Sequence, residues 1–227
     1  MWTIIKKEFK GYFLSPIGYV FIGLFLAMCS IFFYLDVYFY SSTNFEYMFY
    51  SAATILTFIV PVLTMRMFSE ERKNGTEQLL YTSPKSITSI VLGKFIAASA
   101  VILIAELLTL IYYAILMYFG NPQIGTAIIT LVGFFLLANS YIAFGMFASS
   151  ITENQIIAGV ITMAGFIGIW FMPNFNSALD KFSLINVFSN TFAQGFTTYQ
   201  ALTLFISFTL LFIALTIIVI ARRKSVK

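Results

Sequence analysis

Six stretches of this chain are apolar for long enough to cross about 30 Å of hydrocarbon at roughly 1.5 Å per helical residue. They run over Ile17–Tyr40, Met48–Met65, Ile87–Phe119, Ile124–Ser149, Ile156–Met172 and Tyr199–Ala221. Only 10% of the residues are charged and 60% are hydrophobic, against about a quarter charged in an ordinary soluble domain. The polar surface is too small to coat a water-facing body, so lipid must cover much of it. The third stretch is longer than a bilayer needs, which predicts a tilt or an extension into water. The fifth is the shortest.

Charge placement orients these spans. Of 13 Lys and Arg, Lys6, Lys7 and Lys10 form one cluster. Arg66, Arg72, Lys73, Lys85 and Lys94 form a second, and Arg222, Arg223, Lys224 and Lys227 a third; Lys181 stands alone. The clusters flank apolar segments, the positive-inside pattern of a plasma or inner membrane protein. Both termini and the 70–94 connection are therefore expected in the cytoplasm, and nucleic acid is not the expected partner.

Residues 1–14 read as a retained interfacial helix and not a cleaved leader. Trp2, Ile5, Phe9, Tyr12 and Phe13 share one helical face, and Thr3, Lys6, Lys7 and Lys10 the other. This predicts aromatics in the acyl boundary and lysines toward anionic headgroups. Ser15–Pro16 ends that helix. In the outer segment 173–198, Phe175, Leu179, Phe182 and Ile185, then Phe188, Phe192 and Phe196, recur at helical spacing. One or two short amphipathic or re-entrant helices fit.

Catalysis lacks residues. There is no histidine, one cysteine (Cys29) inside an apolar run, and Gly93–Lys94 without the upstream glycine of a phosphate loop. This chain is expected to be no enzyme and to bind no metal or ATP itself. The segment that stands out is 69–84. Asn74–Gly75 signals a helix stop with a left-handed glycine. Thr76 is placed to cap a short helix through Tyr81, with Glu77 and Gln78 on one side and Leu79 and Leu80 on the other. Ser83–Pro84 is a cap for the third span. Glu70 and Glu71 are expected in water. The pattern suits force transmission from a cytoplasmic partner as well as it suits a solvated charged loop.

Within the membrane, Glu106 costs about 2.5–3.5 kcal/mol as an ion at mid-span. It reads either as a polar contact in a translocation path or dimer seam, or as a carboxyl that holds helices together, with Asn139 as a candidate neighbour. No basic residue at that depth pairs with it, which favours the second. Pro61 is expected to kink the second span.

The run from Val60 to Pro84 (VPVLTMRMFSEERKNGTEQLLYTSP), followed by IVLGKF from Ile90, resembles the type-2 ABC-transporter permease family. KEFKGYFLSPIGY from Lys7 and SITENQIIA from Ser150 are similar to its gliding-motility-associated branch. The resemblance spans essentially the whole chain in order. It implies a single permease domain: an all-α membrane protein of six transmembrane helices with an N-terminal interfacial helix, a cytoplasmic coupling helix and short outer helices. It also implies a second permease chain and two ABC ATPase subunits, which carry the ATP and Mg, and export as the direction. The coupling role would fall on Glu70, Glu71, Arg72, Gly75, Thr76, Glu77 and Gln78. Relatives carry a more charged stretch after the glycine matching Gly195, where this chain reads Phe196-Thr-Thr-Tyr-Gln, so an outer accessory partner stays open. The other readings are a secondary transporter of small solutes, which needs mid-membrane ionisable sites in related halves, and a non-transporting scaffold or sensor.

Overall fold

The computed structural model describes residues 1–40, 45–78, 86–175 and 177–226. Among them every regular element is helical: α1 (Trp2–Leu14), α2 (Ile17–Tyr40), α3 (Phe45–Thr64), α4 (Ser69–Lys73), α5 (Ile87–Leu108), α6 (Leu110–Phe119), α7 (Ile124–Ile151), α8 (Gln155–Phe171), α9 (Leu184–Asn190) and α10 (Tyr199–Val226). Six of the helical runs are long and apolar enough to cross a membrane. The expected α2 bounds coincide with the observed ones, and the other spans differ by a few residues.

The third span is two helices. α5 stops at Leu108 and α6 begins at Leu110, with Thr109 between them. The Thr109 N–H and hydroxyl both donate to the Glu106 carbonyl, at 3.0 and 2.6 Å. A threonine that satisfies a carbonyl in this tight turn breaks the regular ladder.

α3 and α7 form the centre, with most of their spans buried, while α2, α8 and α10 bury only a small share of theirs. Exposed Ile31, Leu107, Ile111, Val132, Val160 and Leu210 give the outside its apolar belt. No two glycines stand four apart in the sequence, so close helix approach is achieved by single small residues. A Cβ on Gly145 would lie 2.2 Å from Thr64 Oγ1, so only glycine lets α7 meet α3 there.

Among the described residues of the 173–198 segment there is one α-helix, α9, flanked by 3-10 turns at Met172–Asn174, Ser177–Phe182 and Phe192–Gln194. Its aromatic repeat splits. Phe188 and Phe192 are fully buried, whereas Phe175, Phe182 and Phe196 are exposed. Phe134 of α7 meets Phe49 edge-on at 4.9 Å and Phe188 at 6.1 Å. Thr130 Oγ1 donates to the Phe192 carbonyl at 2.8 Å. The segment folds back as a plug on the bundle end, held by ring packing and that hydrogen bond.

α1 is helical over the expected residues, yet its inner face is rotated. Ile4, Ile5, Glu8, Phe9, Tyr12 and Phe13 are half-buried and Trp2 is 75% exposed. The helix packs on the start of α5, where a Cβ on Gly93 would lie 2.7 Å from Ile4. Phe9, Tyr12 and Phe13 thus pack against protein and not only toward an acyl boundary. Glu8, absent from both expected faces, points inward.

Candidate functional site

α3 ends where Thr64 Oγ1 donates to the Val60 carbonyl, and the chain turns through Met65–Phe68 into α4. The first N–H groups of a helix have no partner within it. Here they find Ser149 of α7, whose hydroxyl oxygen accepts from Phe68 N at 3.1 Å and Ser69 N at 3.2 Å. The same hydroxyl donates to the Met65 carbonyl at 3.0 Å. A fully buried serine on a central span therefore caps α4 from outside its own segment.

Arg72 fixes the other side of α4. Its Nη1 donates to the Ile151 carbonyl at 3.1 Å and its Nη2 to Glu153 at 2.6 Å, while Nε lies 3.8 Å from Glu77. Arg223 of α10 donates to the same Ile151 carbonyl at 2.9 Å. Cations at the carboxyl end of a helix oppose its dipole and satisfy its free carbonyls. Two guanidinium groups from different elements therefore converge on the end of α7.

The strongest charge cluster was not legible beforehand. Lys94, two turns into α5, has a side chain 4% exposed, and its Nζ donates to Glu71 at 2.9 Å and to Glu8 at 3.1 Å. The Phe68 ring centroid lies 5.3 Å from the same nitrogen. A lysine this buried needs counter-ions, and α1 and α4 supply one each. This overturns the expectation that Glu71 lies in water: its side chain is only 19% exposed. In the same cluster, burial first and the Glu8 carboxylate second push the Tyr12 phenol above its ordinary range.

Gly75 takes φ +69°, the left-handed turn that Asn74–Gly75 predicts. Thr76 stands just before the helical residues 77–78, and most of the helix it is expected to cap lies outside the described residues. Its hydroxyl donates back to the Glu71 carbonyl at 3.2 Å, closing the turn after α4. Glu70 and Glu77 are half-buried, and Asn74, Gly75, Thr76 and Gln78 are exposed at the tip. Leu79, Leu80, Tyr81 and the Ser83–Pro84 cap lie outside the described residues.

Glu106 and Asn139 are not joined. Glu106 is 3% exposed, and neither carboxylate oxygen has a hydrogen-bond partner among the described residues. Asn139 donates to the Phe135 carbonyl at 2.8 Å and accepts from Ser99, seven residues before Glu106 on α5. Of the predicted residues, then, Glu71 joins Glu8 and Lys94, Arg72 and Glu77 join Glu153 and the Ile151 carbonyl that Arg223 shares, Thr76 closes on the Glu71 carbonyl, and Ser149 holds the backbone that enters α4. The signal for Lys94 was its depth inside an apolar span; that for Ser149 was absent, since serine is unremarkable there.

A family model described as ABC-2 family transporter protein matches residues 9–222. No curated protein matches the chain.

Proposed function

Because the chain belongs to the ABC-2 transporter family, a permease subunit that works with an ABC ATPase, we propose that residues 69–78 are where ATPase motion enters the membrane domain. The observation that carries this reading is the bonding of α4. One short segment with an exposed tip is tied to α7 through Ser149 and Arg72, to α5 and α1 through Lys94, and through the shared Ile151 carbonyl to Arg223 of α10. A push on the Asn74–Thr76 tip reaches four elements through these hydrogen bonds and ion pairs.

In this reading the ATPase holds the ATP and Mg, and nucleotide binding supplies the differential free energy. Two permease chains meet around the path, and α3 and α8, the second and fifth spans, rearrange around it. Both termini, α1 and the α3–α5 connection face the cytoplasm, with α1 against the inner leaflet and residues 173–198 outside, on the strength of the basic clusters. The direction is export, and the finer likeness is to the gliding-motility-associated branch. An accessory protein would meet the exposed Phe175, Phe182 and Phe196. Glu106 serves structure and not chemistry. Family membership sets aside the secondary-transporter and scaffold readings.

Native mass measurement of the complex in mild detergent tests the proposal. Two permease chains with two ATPase subunits is the expected assembly. A transport-active single chain that needs no nucleotide would contradict it.

A further inference from the structure

An open cleft of about 650 Å³ lies between α1, α4 and the start of α5. Its volume is in the range of small-molecule sites, roughly 300–1,000 Å³. Its place is informative. Ile17 begins α2, Arg66 and Met67 follow α3, and Ile90 and Lys94 belong to the first turns of α5. Three membrane-crossing helices end around it, which is headgroup depth in a bilayer.

The charges in the lining sort into two groups. Lys94, Glu8 and Glu71 are committed to one another, and Lys7 leans on Glu8 at 3.9 Å. Arg66 and Glu70 remain. They line the same cleft, and among the described residues neither forms an ion pair, with the other or with anything else. Arg66 Nε is buried and lacks an acceptor. A buried donor left unmade is costly, so an acceptor from outside the chain is the natural complement.

We propose that this cleft binds the headgroup of a zwitterionic phospholipid, phosphatidylethanolamine, with its phosphate on Arg66 and its ammonium on Glu70. A guanidinium fork matches phosphate oxygens. An anionic phospholipid would satisfy Arg66 but set its charge against Glu70, and a simple cation would do the reverse. The zwitterion satisfies both, and Ile17, Met67 and Ile90 offer apolar surface to the glycerol end. The lipid would sit beside the Lys94 cluster as a wedge between α1 and α4. The proposal rests on the membrane placement of the bundle and not on ATPase coupling, so either can fail alone.

The test uses the full chain, stripped of lipid in mild detergent and titrated with phosphatidylethanolamine or phosphatidylglycerol, with bound lipid counted by native mass spectrometry. Phosphatidylethanolamine should bind roughly tenfold more tightly, the margin of one ion pair made instead of opposed. Glu70→Gln should erase that preference while leaving phosphatidylglycerol binding equal or stronger. Arg66→Gln should lose both lipids, and Arg66→Lys should restore binding if the Gln variant misfolds. Soluble O-phosphoethanolamine should compete only weakly, since it lacks the glycerol and chains. Equal binding of the two lipids, indifference to Glu70→Gln, or soluble phosphoethanolamine binding as tightly as the lipid would each overturn the assignment.

Discussion

Replacing Lys94 by methionine removes the cation that holds α1 and α4 to α5, and its cost can be worked from the geometry. Taking one partner from a buried ion pair costs about 3–5 kcal/mol, mostly because a charge is left unpaired. Here Glu71 is orphaned and Glu8 keeps only the exposed Lys7 at 3.9 Å, both carboxylates having stood within 3.1 Å of the lost nitrogen. Their side chains are 20% and 19% exposed, so water reaches them once α1 loosens. That places the cost at the low end, about 3 kcal/mol, or roughly a hundredfold in a local opening equilibrium. Hydrogen exchange in detergent reads this directly. Amides of α1 and α4 should exchange about a hundredfold faster in Lys94→Met, while those in the middle of α10 should not change. Adding Glu8→Gln and Glu71→Gln should recover most of the protection, because a neutral cluster carries no orphaned charge. Unchanged exchange across residues 2–14 and 69–78 would refute the claim that this cluster anchors both elements.

Gly75→Ala forces a side chain into the left-handed region at roughly 1–2 kcal/mol in a turn with φ +69°. ATPase affinity should fall several-fold with insertion unchanged, measured by titrating the ATPase onto the purified permease; equal affinity would detach the turn from docking. Glu106→Gln removes no hydrogen bond to the carboxylate, since neither oxygen has one among the described residues. Its thermal unfolding midpoint and transport rate should therefore match the parent, and lost transport with a normal midpoint would make the charge functional.

What could be read beforehand follows from which forces are local. Hydropathy is summed along the chain, so all six spans were legible, and α2 to the residue. The Gly75 turn was legible because its requirement is a backbone one. The break at Thr109 was not, because the surrounding Leu107, Leu108 and Leu110 are good helix formers and the hydroxyl's choice of carbonyl is a matter of a single turn. Lys94 looked like one more basic flank, since its counter-ions lie 23 and 86 residues away. The same distance hid the inward turn of Glu8 and the capping by Ser149, 80 residues from the backbone it serves. Helical spacing put seven hydrophobic residues of the outer segment on equal terms. Tertiary packing decides which go inside: Phe188 meets Phe134 of α7, and Phe192 sits against Gly133 of α7, where a Cβ would lie 2.1 Å from its ring.

The central claim is that the tip after α4 is the ATPase contact. A photo-crosslinking residue at Asn74, which is exposed, tests it in intact cells, with Phe175, 89% exposed beyond the other end of α8, as the paired control. The account predicts an ABC ATPase captured from position 74, in an amount that changes when ATP hydrolysis is blocked, and none from position 175. No ATPase from position 74, or the same ATPase from position 175, would contradict it.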